Sequence, residues 1–204
     1  NVSIKLDSNH IAIKPSGFPL KNLKLNNMPI IRISDGKLIT NKLKPSVDTP
    51  THIEIYKANT KIKSVAHTHS IYATGWAQTG KSIPNLGTTH SDYWQNEIPN
   101  ITYISQKKLR ENYELETGRM IIKYLKNKKL TLESCPGILV AGHGVFTWGI
   151  DFNDSVNNAE ILESIAKIAF ITNSIGIKNK IPKYIINKHY LRKHGKKSYY
   201  GQKK

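Results

Sequence analysis

His67 and His69 stand two residues apart at the end of the short segment Ser64-Val65-Ala66-His67-Thr68-His69-Ser70. That segment reads as a β-strand, and on a strand residues i and i+2 point to the same face. Both imidazoles can therefore reach one ion without bending the backbone. A third histidine follows far downstream in Ala141-Gly142-His143-Gly144, also at the end of an apolar run. Flanking glycines permit a tight turn and close approach of other groups. Three histidines with one open position suit catalytic zinc. A His-x-His pair alone is also a common, ordinary strand feature.

The segments around these histidines alternate between strand and helix patterns. Residues 2–6 and 10–14 read as a hairpin around Asp7-Ser8-Asn9, and residues 29–33 and 37–39 as a second around Ser34-Asp35-Gly36. Thr49-Pro50 opens a helix over 50–59, with the proline at its first position. Strand 62–67 carries the histidine pair, and Ser70 caps a helix to Thr79, ended by Gly80. Residues 81–100 read as a loop, longer than most. A strand over 101–104 and a helix over 107–127 follow. Strand 137–141 is apolar on both faces, which predicts a central position. Residues 145–148 are its partner strand, and helices over 153–174 and 182–194 complete the chain. This is a single α/β domain over residues 1–204, with a mixed, mostly antiparallel central sheet flanked by helices.

Composition narrows the function. With 204 residues and 38% hydrophobic content the chain can build a full core. The single cysteine, Cys135, excludes an internal disulfide and a cysteine-based zinc site, and fits a reducing, cytoplasmic setting. No apolar run approaches the roughly 20 residues of a membrane span. The net charge is +17, from 31 Lys and Arg against 14 Asp and Glu. These lysines are spread over most segments and do not interleave with aromatics, so a nucleic-acid platform is disfavoured. Compositional drift accounts for most of the charge, and an anionic substrate for a local part.

Further candidates surround the histidines. Asp48 is a possible fourth ligand, or simply a turn or cap carboxylate. Lys14-Pro15-Ser16-Gly17 and Lys44-Pro45-Ser46 each offer a lysine, a hydroxyl and loop amides suited to phosphate. Either is also an ordinary loop. Asp92 can exchange protons from the long loop, or only hydrogen-bond within it. His10, His52, His90 and His194 lack partners at metal spacing and read as surface or structural. The terminal Tyr199-Tyr200 has no evident role from sequence alone.

Four strings then join into one pattern: His67-Thr68-His69-Ser70, Gly87-Thr88-Thr89-His90-Ser91-Asp92-Tyr93, Glu116-Thr117-Gly118, and Lys188-His189-Tyr190-Leu191-Arg192-Lys193-His194-Gly195. In order, and on through Tyr199-Tyr200-Gly201-Gln202, they closely resemble the L-ribulose-5-phosphate 4-epimerases of the class II zinc-dependent aldolase family. The resemblance implies Zn2+ held by Asp48, His67, His69 and His143. It implies a substrate and phosphate site of Asn1, Lys14, Ser16, Gly17, Ser46 and the position of Val47. It implies Asp92 and Tyr200 as the two proton-transfer groups, assisted by His189. Tyr200 would act in a neighbouring subunit of a homotetramer.

The implied reaction is zinc-dependent epimerisation of L-ribulose 5-phosphate to D-xylulose 5-phosphate by retro-aldol cleavage and re-addition. The alternatives are a class II aldolase acting on fuculose or rhamnulose 1-phosphate, and an inactive basic remnant binding anionic partners. Three departures stand out. The family's first helix and strand have no counterpart, so the domain reads as N-terminally incomplete. Val47 replaces a second serine before Asp48, and Ala141 replaces a histidine outside the implied ligand set.

Overall fold

In a computed structural model, the described residues are 1–40, 43–176, 180–195 and 198–199. Eight strands among them form one sheet in the order β4-β3-β2-β1-β5-β8-β7-β6. The expected hairpins are β1 (Val2–Lys5) with β2 (His10–Ile13), and β3 (Ile30–Arg32) with β4 (Leu38–Thr40). Strands β5 (Ser64–Thr68), β7 (Gly137–Val140) and β8 (Gly144–Gly149) form the other half. All pairings are antiparallel except that of β6 (Asn100–Ile101) with β7. Helices flank this sheet, so the molecule is the mixed α/β domain that the alternating patterns predict.

The helices are α1 (Thr49–Ala58), α2 (Ile71–Thr79), the single turn α3 (Thr88–Ser91), α4 (Gln106–Asn127), α5 (Asp154–Ile175) and α6 (Lys183–His194). Their ends follow local chemistry. Gly80 stops α2 in the left-handed region at φ 71°, where a side chain would cost most. Gly118 lets α4 press on α1, because a Cβ there would lie 2.8 Å from Glu54 Cβ and 3.0 Å from Thr51 Cα. No described helix is long and apolar enough to cross a membrane.

Three expectations are corrected. Strand β7 is not central: it lies one strand from the edge, between β8 and the two-residue β6. All four of its residues are nevertheless buried, because α2 and α5 both reach it. Burial of a whole strand therefore does not require a central position in the sheet. The 81–100 stretch is also more ordered than a loop. It carries α3 and an Ile83–Ile98 bridge, with Trp94 buried beneath it. Finally, α4 is broken at Asn112, whose backbone is extended at φ −167°, ψ 102°.

His90 illustrates the cost of such burial. Its Nε2 donates to the Asn96 carbonyl at 2.8 Å, and burial pushes its pKa down to about 4 despite that bond. In the unfolded chain it takes a proton near 6.5. Between these values the unfolded state binds more protons, so stability is lost as pH falls from about 6.5 towards 4. The expected slope is about 1.4 kcal/mol per pH unit for this histidine. Urea unfolding of the metal-free protein from pH 7 to 4.5 measures it. A His90→Gln variant should show a shallower slope than the parent.

Candidate metal centre

The centre is built where β5 meets β8. Five register pairs run from Ser64–Gly149 to Thr68–Val145, with His67 opposite Phe146. The His67 ring stacks on Phe146 with centroids 4.3 Å apart and planes at 17°. Its Nδ1 donates to the Val145 carbonyl at 2.8 Å. That bond places the ring proton on Nδ1 and leaves the Nε2 lone pair outward.

His143 arrives from the other side, on the hairpin joining β7 to β8. Val140 pairs with Gly144, leaving Ala141-Gly142-His143 as the tip. Gly142 makes the reversal at φ 69°. Gly144 then allows the close approach: a Cβ there would lie 2.6 Å from the Thr68 carbonyl oxygen and 3.3 Å from His67 Cε1.

Among the described residues, His67, His69 and His143 each offer a ligand atom, all within 4.8 Å of one another. The Nε2 atoms of His67 and His69 are 2.9 Å apart. Two nitrogens on one tetrahedral zinc, each bonded at ~2.0–2.1 Å, stand roughly 3.3 Å apart, so the spacing is near that of a shared ion. Burial, first, and then the other histidines hold His67 down at about 4, against the opposing pull of Asp48 and the Val145 carbonyl. His143 is lowered by burial and His69. Both rings are neutral near pH 7, as metal ligation requires. The donor set fits a divalent cation of zinc type.

Asp48 lies outside that group of three, yet it is not an ordinary cap. It occupies the N-cap position of α1 and makes no side-chain capping bond. Its Oδ2 instead accepts from Asn1 Nδ2 at 2.7 Å. The carboxylate is buried, and its charge is felt at both His67 and His143.

The two Lys-Pro-Ser strings prove to be neighbours. Pro15 and Pro45 form an antiparallel bridge, Ser16 N donates to the Lys44 carbonyl at 3.0 Å, and Ser46 N donates to that of Lys14 at 3.1 Å. Gly17 turns at φ 63° beside them. Ser46 Oγ accepts weakly from Asp48 N at 3.4 Å, which ties this ladder to the start of α1. The Val47 side chain, 64% exposed, adds no hydroxyl.

Asp92 belongs to a separate cluster. Arg192 holds both its oxygens, at 2.9 and 2.6 Å, and His189 Nδ1 lies 3.2 Å from Oδ1. Burial raises the Asp92 pKa, but the bonds from Arg192 and His189 outweigh it and hold the group below the usual carboxylate range. His194 Nε2 also donates to the Asp92 carbonyl at 2.8 Å. Tyr200 lies outside the described residues.

The comparisons with known proteins meet this geometry. A family model described as Class II Aldolase and Adducin N-terminal domain matches residues 1–170. The chain belongs to that family. Among solved structures, L-fuculose 1-phosphate aldolase superposes with a TM-score of 0.75 at 18% identity, covering 94% of this chain and 84% of that one. YgbL from Escherichia coli gives 0.71 at 23% identity, over 92% and 84%. A sugar-phosphate aldolase from Thermotoga maritima gives 0.64 at 18%, over 87% of each. At such identities these likenesses establish the class II aldolase fold.

Two further residues support the centre: His52, one of the histidines read as surface or structural, and Tyr113, which sequence reasoning missed. His52 is fully buried behind Phe146, its Nδ1 2.8 Å from Ser3 Oγ, and burial followed by the proximity of His67 keeps it neutral. Its place in the first turns of α1 was the only hint in sequence. Tyr113 reaches His143, and the signal missed there was Asn112 as a cap.

Gly144 is the most exacting position. Gly144→Ala forces its methyl against the Thr68 backbone, which moves only if β5 and β8 part. Zinc affinity measured by chelator competition is expected to fall at least about tenfold, with a drop in stability of roughly 1–3 kcal/mol. Unchanged affinity would show that the two strands tolerate separation.

Proposed function

We propose that this chain is a divalent-metal enzyme of sugar-phosphate metabolism, and that its reaction is the interconversion of L-ribulose 5-phosphate and D-xylulose 5-phosphate. The observation that carries the metal is the convergence of three imidazoles beside a buried, uncapping carboxylate. The ligand set is His67, His69 and His143, with Asp48 as the neighbouring acid. The epimerase assignment rests on the strings around Asp92 and His189 and on the terminal tyrosines.

A bound zinc supplies Lewis-acid stabilisation of negative charge on the substrate oxygens next to the bond that breaks. The rest is the work of side chains. Asn1, Lys14, Ser16, Gly17 and Ser46 hold the phosphate, with Lys14 as the charge and the paired loop segments as the frame. The C4 hydroxyl loses its proton as C3–C4 cleaves. The aldehyde fragment turns while its phosphate stays anchored, and C3–C4 re-forms on the opposite face. Two proton-transfer groups are needed because the C4 oxygen changes side. Asp92, held by Arg192 and His189, is one of these proton-transfer groups, and Tyr200 is the other.

A homotetramer completes the reading, with Tyr200 serving a neighbouring subunit. It is supported by apolar surface near α2 and α5: Ile71 and Ile175 are each 81% exposed, and Phe170 is 54% exposed. A cavity of about 770 Å³ lies there, lined by Tyr72, Trp76 and Phe170.

Incubation with L-ribulose 5-phosphate, with and without added zinc, tests the reaction. D-xylulose 5-phosphate should appear, and chelation should stop it. Cleavage of L-fuculose 1-phosphate instead would assign an aldolase. His67→Asn should cost more than about 100-fold in kcat/KM together with the bound metal. If the variant kept both, the ligand set would be wrong.

A further inference from the structure

The break in α4 places a tyrosine against the metal centre. Asn112 leaves the helical path, and its Oδ1 accepts from Leu115 N at 2.9 Å. This is the geometry of an N-cap, so residues from Tyr113 onward form a second helical segment with Tyr113 in its first position. That turn is pinned from two directions. Thr117 Oγ1 donates to the Tyr113 carbonyl at 2.8 Å, and Thr51 Oγ1 of α1 donates to the Glu114 carbonyl at 2.5 Å. Gly118, one turn on, lets the segment lie flush on α1.

So held, the Tyr113 hydroxyl sits 3.2 Å from His143 Nδ1, with the rings 5.7 Å apart and tilted at 51°. His143 needs such a partner more than His67 does. It stands at a hairpin tip, half-buried, with its backbone N–H bonded across the turn to the Val140 carbonyl. His67, by contrast, is stacked on Phe146 and bonded to Val145. An imidazole whose Nδ1 is engaged has Nε2 alone to offer a cation, in one ring orientation. Ligating histidines are commonly fixed in this way by a bond to the other nitrogen.

We propose that Tyr113 is a positioning residue for the metal centre: its phenolic oxygen accepts the Nδ1 proton of His143, aims Nε2 at the cation and raises the affinity of the triad. The break at Asn112 exists, on this view, to deliver that hydroxyl. A continuous helix would carry residue 113 on a different path. The inference rests on the metal-binding reading above and adds a residue to it.

The test compares the parent with Tyr113→Phe, which removes one oxygen and keeps the ring. Zinc affinity by chelator competition should weaken by about 10–100-fold. The visible spectrum of the cobalt-substituted protein should shift, since the ligand field senses the His143 orientation. In the zinc-loaded parent, nitrogen-15 NMR should show a slowly exchanging proton on His143 Nδ1 that is lost in the variant. The urea midpoint of the metal-free proteins should match, separating this role from a structural one. Equal affinity and spectrum in the variant would overturn the role of Tyr113 while leaving the metal centre intact. A parent that binds neither zinc nor cobalt would overturn both. A fall in kcat with unchanged affinity and spectrum would also overturn the positioning role, in favour of direct contact with substrate. Should Tyr113→Phe misfold, Asn112→Ala reports on the same bond: its affinity should fall too, and Asn112→Asp, which keeps the cap, should preserve it.

Discussion

The β5–β8 ladder is the constraint on which the rest depends. It brings His67 against the Val145 carbonyl although the two are 78 positions apart. A slip of one residue would turn His67 to the opposite face of the sheet and put Thr68 in its place. The register is fixed at the far end of β5, away from the histidines. Ser64 Oγ donates to the Asp151 carbonyl at 2.6 Å and accepts from Ser155 N at 3.1 Å, which locks the strand to the start of α5. Gly149, opposite Ser64, admits that helix start: a Cβ there would collide with Asp154 Cβ. One end of the strand sets alignment, and the other end carries the donors.

The centre is electrostatically unusual for a chain of net charge +17. Burial and the neighbouring histidines keep protons off His67 and His143. The charges that bear on them from outside the triad are acidic, from Asp48 and Glu114. A buried carboxylate that forgoes the free amides of its own helix in favour of one neutral amide is left short of positive charge. Hydrogen bonds alone rarely satisfy such a group. A divalent cation on the neighbouring imidazoles would supply what is missing, and would reverse the proton preference of the whole cluster.

Much of this was legible in the chain. The period of two that puts His67 and His69 on one face is a local property, as are the hairpin turns and the glycine that ends α2. Glycines around His143 marked the tip, although not that Gly144 serves Thr68 and His67 rather than the turn. Other features depend on contacts that no window of sequence contains. The two Lys-Pro-Ser strings looked like separate loops because their pairing is a tertiary bridge. Strand β7 looked central because helix cover and central position leave the same apolar signature. Asn112 was read as helix interior because the apolar stripe of α4 continues beyond it. The cue was its polar side chain followed by acids at 114 and 116, a first-turn pattern in the middle of a helix.

The described residues form two centres, each closed on itself. The triad is braced by Phe146, Val145 and Tyr113, whereas Asp92 is braced by His189 and Arg192 of α6. The second cluster is a latch. A bidentate guanidinium on a largely buried carboxylate is among the stronger polar contacts a surface helix can make. It fixes α6 on α3. Tyr199 N also donates to the Arg192 carbonyl at 3.0 Å. The proposed reaction requires metal ligands and proton-transfer groups around one substrate. Joining two self-contained centres is then a task for assembly, and a latch that fixes α6 on the body serves that assembly.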